Sequence, residues 1–389
     1  MLLLNSGKKL LMGLLFLPLV QTAGMCAQQV ASATSVQAPA SGGQAAAQDT
    51  SKVSDSRTNK NDNNNSDHKD GKKEDKGYTA QDGKTPPVES SPVEDFNTLA
   101  VPAGLSFGAE IVDKFESPDF SKELIRAAWR VWDPIDVWVI KPAGVKKPPV
   151  ILYLNSFPST NDRYYDPDYC KFVTKNGFVA VGFVSALTGD RYHDRPMKQW
   201  FVSELQESLA TSVHDVQLLL NYLGQRGDLD MTRVGMVGDG SGASIAIMAA
   251  AVDPRIQVLD LVNPWGDWPD WLAKSSVVPE DERTNYLKPE FLKKVENVDP
   301  VKWLPELKSQ RVRLTYVESV KATPKEVRDR VEAAAPRSVK IANYQDTEDF
   351  VTEVTSSRRA FDWIKEQLRP SASAQTVEPN SNPEAANFK

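Results

Sequence analysis

The chain has 389 residues, of which 40% are hydrophobic and 25% are charged, and its formal net charge is −6 at pH 7. Because positive and negative residues are mixed along the chain, no basic stripe is available to bind nucleic acid, and we expect no nucleic-acid partner. The length allows one domain of moderate size with long polar appendages.

The N-terminus has the features of a secretory signal peptide. Lys8 and Lys9 precede the apolar run 10–20, and small residues follow at 22–27. The apolar run is too short to cross a membrane comfortably. We therefore predict a signal peptide over 1–27, export to the periplasm or the extracellular space, and no transmembrane span after cleavage.

The chain contains two cysteines, Cys26 and Cys170. Cys26 could carry a lipid, but the bulky Met25 stands before it, where such sites have a small residue, so the sequence favours an unanchored protein. Signal cleavage removes Cys26 or leaves it at the terminus, and Cys170 then has no partner for an internal disulfide. The exported domain must therefore depend on its core for stability.

Two segments that flank the domain lack the apolar residues that a core needs. Residues 28–96 are rich in Ala, Ser, Gln, Asn, Asp and Lys, and residues 370–389 are similarly polar. Neither segment has enough apolar side chains to offset the entropy cost of ordering. We predict a disordered low-complexity linker over 28–96, a folded domain over 97–369 and a disordered tail over 370–389.

Predicted strands and helices alternate within the domain. Residues 125–132 and 135–141 alternate apolar and polar side chains around Asp133-Pro134, which predicts an antiparallel hairpin. Apolar runs and helical spacing then predict strands over 148–155, 178–185, 256–262, 312–318 and 338–344, and helices over 168–176, 201–227, 324–335 and 353–368. Residues 263–308 have no regular pattern. This order predicts a doubly wound, mostly parallel α/β sheet with helices on both faces.

The rest of the domain is organised around residues 233–253. An apolar run, a glycine turn over 238–242 and an Ala-rich run predict a strand, a sharp turn and a buried helix. This arrangement resembles the nucleophile elbow of the α/β-hydrolase superfamily, in its esterase and prolyl-peptidase-like branch, where Gly-x-Ser-x-Gly holds a strained serine at the top of the sheet. In that register Gly238 and Gly242 match the two glycines, and Gly240 stands where the serine would be.

The resemblance implies an α/β-hydrolase fold over nearly the whole domain, with a small cap insertion at about 265–308. It also implies an acid after the strand 312–318 and a histidine after the strand 338–344. Lys321 and Ala322 occupy the region of the acid, and no histidine follows His214. A serine hydroxyl is a poor nucleophile without a positioned base. Because nucleophile, acid and base are all missing, the sequence favours a pseudoenzyme with a binding or scaffold role.

An active hydrolase of esters or short peptides is the alternative. Ser241 follows the apex, His193 lies on a predicted loop at the functional edge, and Asp267 follows the strand 256–262, so the three could form a rearranged triad. That triad requires three independent relocations, and capping of the following helix explains Ser241 more simply. His214 is interpreted as a packed or half-exposed helix residue. A third possibility is a structural envelope component whose long tether matters more than any pocket.

Ligands of such sheets bind at the carboxyl ends of the strands, and a helix N-terminus after Gly240 could hold an anion or a carbonyl there. We predict a ligand pocket lined by Asn155, Asp239, Gly240, Ser241, Trp265 and Trp268. Asp239 could bind a cation or an amine, or could only pair with a nearby arginine or accept backbone N–H groups. The partner is expected to be a small ligand or an envelope protein.

The aromatic residues of the segment 265–308 have two interpretations. They could form an aromatic lid over a ligand, or they could pack a short helical excursion onto the sheet. We favour packing for most of them, with Trp265 and Trp268 facing the pocket. No His/Cys pair has metal-ligand spacing, and the glycine turn lacks the Lys-Ser/Thr of a phosphate loop, so the sequence implies no metal and no cofactor.

Overall fold

The computed structural model describes residues 94–102, 105, 108–130, 133–157, 162–186, 200–307, 310–356 and 361–369. The predicted signal peptide, the linker up to residue 93, the tail 370–389 and His193 lie outside the described residues.

A twisted sheet runs through the domain. Its strands in the described part of the chain are β1 (Ala109–Glu116), β2 (Phe120–Ala127), β3 (Ile135–Pro142), β4 (Pro149–Leu154), β5 (Val179–Phe183), β6 (Asp230–Asp239), β7 (Ile256–Val262), β8 (Arg311–Val317) and β9 (Lys340–Tyr344). Their spatial order is β1-β2-β3-β5-β4-β6-β7-β8-β9. The pairs from β1 through β3 to β5 are antiparallel, and all later pairs are parallel. The predicted fold class, including its antiparallel N-terminal hairpin, is confirmed.

Helices cover both faces of this sheet. They are α1 (Pro167–Thr174), α2 (Trp200–Ser203), α3 (Leu205–Arg226), α4 (Ser241–Val252), α5 (Trp268–Lys274), α6 (Arg283–Tyr286), α7 (Pro289–Val295), α8 (Pro300–Trp303), α9 (Lys325–Ala334), α10 (Thr347–Ser356) and α11 (Asp362–Gln367). None of the described helices is both long and apolar enough to cross a membrane.

The alternation of side chains along β4 divides the core between the two faces. Val150, Leu152 and Leu154 pack with α3 and α4, whereas Ile151 and Tyr153 face the layer of α1 and α11. The helix α4 is buried around its whole circumference from Ser241 to Ala250, which explains its small and apolar composition.

Several predicted boundaries are wrong for identifiable reasons. The edge strand β1 was not predicted, because seven of its eight residues are exposed and it carries no apolar period. The segment 263–308 is not irregular but contains α5 to α8. The predicted helix 353–368 is two helices, separated at Phe361, whose φ of 63° is left-handed.

The predicted hairpin ends earlier than expected because the chain leaves β2 to reach the helix α3. The indole N–H of Trp129 donates to Asp215 at 2.9 Å, and the guanidinium of Arg130 also binds this fully buried carboxylate. Arg130 additionally donates to Glu94 at 2.6 and 2.7 Å. The residues after β2 therefore belong to a buried ionic network on α3, not to the sheet.

The same network holds residues that were predicted to belong to the linker. The Glu94 carboxylate lies 2.6 Å from Nδ1 of His214, and Nε2 of His214 lies 2.8 Å from the Thr98 carbonyl oxygen. Burial raises the pKa of Glu94, but its hydrogen bonds to Arg130 and His214 outweigh burial and lower the pKa to about 2. The folded domain therefore includes Glu94, and His214 is a packed helix residue as interpreted.

The substitution Asp215→Ala is expected to destabilise the domain by about 3 kcal/mol, because it leaves the charge of Arg130 partly buried beside an empty site. Urea unfolding measured by tryptophan fluorescence tests this. In the matched control, Asp329→Ala removes an exposed carboxylate that pairs with Lys325 at 2.6 Å, and a loss of about 0.5 kcal/mol or less is expected. Equal losses for the two variants would contradict a stabilising role for the buried network.

Candidate functional site at the carboxyl edge of the sheet

The turn between β6 and α4 has the backbone of a nucleophile elbow. Its two motif glycines are required by close contacts, since a Cβ at Gly238 would lie 2.6 Å from the Ala243 Cα, and a Cβ at Gly242 would lie 2.1 Å from the Leu154 carbonyl oxygen. The apex residue Gly240 has φ 52° and ψ −117°, a conformation that favours glycine. The strand β6 is central, pairing with both β4 and β7, so the apex lies at the carboxyl edge of the sheet.

The space above the apex is filled by side chains from neighbouring strand ends. An ideal Cβ on Gly240 would lie 2.1 Å from Oγ of Ser156 and 3.2 Å from Nε1 of Trp265. Ser156 follows β4 and is buried. With Ser156 in this position, a serine side chain at the apex would collide with it, so the space for a side chain at the apex is occupied. Sequence reasoning missed Ser156 because only the pairing of β4 with β6 brings it to the elbow.

Ser241 does not cap α4 as predicted. It is the first residue of the helix, while Gly240 occupies the cap position, and no side chain caps this helix end. The Ser241 hydroxyl is fully buried and accepts a hydrogen bond from the Phe157 N–H at 2.9 Å. The prediction failed because a side-chain cap requires a residue just outside the helix, and the turn places glycine there.

The Phe157 N–H lies in the loop after β4 and is bonded to the Ser241 hydroxyl. The oxyanion hole of α/β-hydrolases combines the N–H of the residue after the nucleophile with an N–H from a loop after a neighbouring strand. Here that loop follows β4, and the Phe157 N–H within it points to the Ser241 hydroxyl. In this arrangement the Phe157 N–H is not free to bind a developing oxyanion.

The tryptophans of the segment 265–308 pack into the core. Trp265, Trp268 and Trp271 are 0 to 2% exposed, and the ring centroids of Trp265 and Trp271 lie 4.7 Å apart. Ser244 fixes Trp265, since its hydroxyl donates to the Trp265 carbonyl at 2.8 Å and accepts from the Trp265 N–H at 3.1 Å. This supports the packing interpretation, whereas a ligand pocket lined by Trp265 and Trp268 stays a prediction.

The region after β8, where the resemblance places an acid, is also packed. The Ala322 carbonyl accepts hydrogen bonds from the indole N–H of Trp271 at 2.9 Å and from the Ser275 hydroxyl at 2.8 Å. Thr323 is buried and donates to the Asn263 carbonyl at 2.9 Å. These contacts attach the segment 265–308 to the sheet.

Asp267, the proposed acid of the rearranged triad, lies in a tight turn at the start of α5. Its backbone is left-handed, with φ 49°, and its carboxylate lies 3.8 Å from Nε of Arg330. Burial and the carboxylates of Asp270 and Asp299 raise its pKa. His193 lies outside the described residues, so the triad of Ser241, His193 and Asp267 stays a prediction.

A polar cluster lies at the same edge, beside the elbow. Asp239, the last residue of β6, is 5% exposed, and burial raises its pKa to about 8 against the opposing effects of Arg163 and the Gly240 N–H. Nη1 of Arg163 donates to Oδ1 of Asn155 at 2.7 Å. Asn155 and Asp239 were predicted site residues, but Arg163 was missed because it lies on a turn between elements and not directly after a strand.

No protein-family model matches this sequence, and no curated protein matches it. Among solved structures, acetyl xylan esterase 1 from Thermoanaerobacterium is similar, with a TM-score of 0.53, 16% identity and coverage of 68% of this chain and 87% of that enzyme. S-formylglutathione hydrolase from Agrobacterium tumefaciens is also similar, with a TM-score of 0.50, 13% identity and coverage of 67% of this chain and 100% of that enzyme. At these identities the similarity shows the fold, and the chain has the α/β-hydrolase fold.

Proposed function

We propose that this protein is an exported pseudoenzyme that uses the carboxyl edge of an α/β-hydrolase fold to bind a ligand or an envelope partner without hydrolysing it. The observation that carries the proposal is the filled apex, where the hydroxyl of Ser156 lies in the space that the side chain of a nucleophile would need. In hydrolases this space must hold an accessible nucleophile that reaches the substrate carbonyl.

One further contact and one group of polar side chains support a non-catalytic role. The buried hydroxyl of Ser241 accepts the Phe157 N–H, which removes one group as an accessible nucleophile and the other as an oxyanion donor. The polar groups that remain beside the elbow, Asn155, Arg163 and Asp239, are suited to hold a ligand by hydrogen bonds and charge. Export from the cell and a tether over 28–96 are part of the proposal, based on the N-terminal sequence.

We expect the purified protein to remain unlabelled by a fluorophosphonate probe and to show no turnover of p-nitrophenyl acetate above that of Ser241→Ala. The reason is that an activated serine must be exposed and paired with a base, whereas Ser241 is buried in a hydrogen bond to the backbone. Gel fluorescence after labelling and absorbance of the released phenolate are the measurements.

A serine esterase of known activity is the positive control for the reagents. Stoichiometric labelling that maps to Ser241 by peptide mass spectrometry, together with ester turnover lost in Ser241→Ala, would establish the active-hydrolase alternative. Labelling that maps to Ser156 would equally contradict the non-catalytic proposal.

A further inference from the structure

We propose that Arg163, Asn155 and Asp239 form a binding site for a ligand that bears a single carboxylate, beside the elbow at the carboxyl edge of the sheet. This inference rests on the proposed function, because it names the ligand class for the same edge of the fold.

Arg163 is held in place by its surroundings before any ligand arrives. It lies on the short 3-10 turn Asp162–Tyr165, and its next residue, Tyr164, is buried and stacked on Trp138 with ring centroids 5.2 Å apart. Gly182 leaves room for this ring, since a Cβ there would lie 1.9 Å from the Tyr164 hydroxyl oxygen. The turn is thus fixed against the sheet, and the guanidinium is preorganised.

The charge of Arg163 is not matched by a carboxylate. Arg163 donates to the neutral amide oxygen of Asn155 at 2.7 Å and is hydrogen-bonded to the phenol of Tyr169, and within the part of the chain that the structure describes it forms no ion pair. A guanidinium has five N–H donors in a planar fork that fits a carboxylate with two parallel hydrogen bonds. Donors therefore remain for a ligand.

Asp239 lies on the same side of the sheet as this turn. Side chains alternate along β6, so Asp239 shares a face with Val237, which packs in the cluster that contains Tyr153 and Tyr164. Asp239 is 5% exposed, and among the described residues its carboxyl group is hydrogen-bonded by the backbone N–H of Gly240 and by no side chain. A carboxyl group this deeply buried, with no side-chain donor and no ion pair among the described residues, is stabilised by a further hydrogen bond or by a proton.

At neutral pH the Asp239 carboxyl holds a proton, because burial raises its pKa to about 8. The charged side chain that acts on it is Arg163. Among the described residues, other titratable groups on this face include the phenols of Tyr153, Tyr164 and Tyr169 and the thiol of Cys170, whose pKa values burial raises. The same face carries Lys365, whose pKa burial lowers to about 8, and the carboxylate of Asp260, which pairs with Arg313 at 2.6 Å. A protonated Asp239 can donate a hydrogen bond, as a neutral carboxylic acid does in other buried sites.

Together, Arg163 and protonated Asp239 favour a ligand with a single negative charge. Arg163 supplies one positive charge and two parallel donors, and protonated Asp239 supplies one further donor without charge. A carboxylate balances this set, whereas a phosphate dianion would leave one negative charge uncompensated in a partly buried site. The positive end of the α4 dipole, which begins two residues after Asp239, acts in the same direction.

The probe for the experiment is trifluoroacetate, which stays ionised across the range and reports through its ¹⁹F signal. We expect saturable binding to the full protein at pH 6 and about tenfold weaker binding at pH 9, where ionised Asp239 repels the anion. Arg163→Gln should weaken binding at least tenfold at both pH values. Asp239→Asn should keep binding and lose its pH dependence, since the amide donates at every pH.

The matched control is Arg233→Gln, which removes an arginine near the opposite end of β6 that pairs with Asp230 at 2.6 Å, and its binding should equal that of the wild type. Unfolding midpoints check that each variant is folded. If Arg163→Gln does not fold, Arg163→Lys, which keeps the charge but loses the planar fork, should weaken binding three- to tenfold.

Absence of saturable binding at pH 6, or binding unchanged by Arg163→Gln, would overturn the site. Tighter binding of inorganic phosphate than of trifluoroacetate would overturn the assignment to a carboxylate. These results are separable from the test of the proposed function. Ester turnover would refute the non-catalytic role and would not affect the anion site. Absence of trifluoroacetate binding would refute the anion site and would not affect the non-catalytic role.

Discussion

Gly240→Ser is expected to destabilise the domain by about 2 to 5 kcal/mol, although it restores the motif Gly-x-Ser-x-Gly. The new Cβ would lie 2.1 Å from Oγ of Ser156, and the serine residue would have to adopt a backbone with φ 52°. Overpacking a buried site typically costs about 1 to 3 kcal/mol, and a side chain on a left-handed backbone costs a similar amount. Urea unfolding followed by tryptophan fluorescence measures the loss.

Two variants separate these contributions. Gly144 also has a left-handed backbone, with φ 76°, but a Cβ there would meet no heavy atom within 4 Å, so Gly144→Ser reports the backbone strain alone. Adding Ser156→Gly to Gly240→Ser should recover the share that comes from the collision. If Gly240→Ser lowers the unfolding free energy no more than Gly144→Ser does, then Ser156 does not occupy the position of the nucleophile, and the main support for a pseudoenzyme is lost.

Asp239→Asn is expected to stabilise the protein increasingly as the pH rises. The pKa of Asp239 is raised from 3.8 to about 8, so between these values the unfolded chain has lost a proton that the folded protein still holds. Stability of the wild type therefore falls as the pH rises through this window, and the deficit is complete above about pH 8. The asparagine variant has no such dependence at this position.

The gap in unfolding free energy between Asp239→Asn and the wild type should widen by about 4 kcal/mol from pH 5 to pH 8, since each unit corresponds to about 1.4 kcal/mol. Urea titrations at each pH give this difference. Asp228→Asn is the control: hydrogen bonds to Arg226 and Lys141 hold the pKa of Asp228 well below its usual range, so its effect should not change between pH 5 and pH 9. If the difference in unfolding free energy between Asp239→Asn and the wild type did not change with pH, the Asp239 carboxyl of the wild type would not be desolvated. The proposed carboxylate site would then lack its proton donor.

The sequence alone predicts most of the fold because its signals are local and strong. Buried parallel strands such as β4 and β5 are continuous apolar runs, and the glycine turn 238–242 marks the elbow by spacing. The same kind of reasoning misses β1, whose exposed residues have no period, and misses the helices α5 to α8, whose short lengths leave no clear amphipathic pattern. Local pattern predicts an element only where the side chains on one face or on both faces are consistently buried.

The candidate site, too, could be predicted only in part from the sequence. The glycine at the apex, the absence of a histidine after His214 and the placing of Asn155 and Asp239 at strand ends are readable from residue order. Three features depend on the packing of distant segments: Ser156 against Gly240, the Ser241 hydroxyl on the Phe157 N–H, and Arg163 beside Asp239. Residue order alone places a glycine at the apex of the elbow. The contact of Ser156 with this apex could be found only in the folded domain, because contacts between residues far apart in the chain are set by strand pairing and helix packing and leave no local pattern.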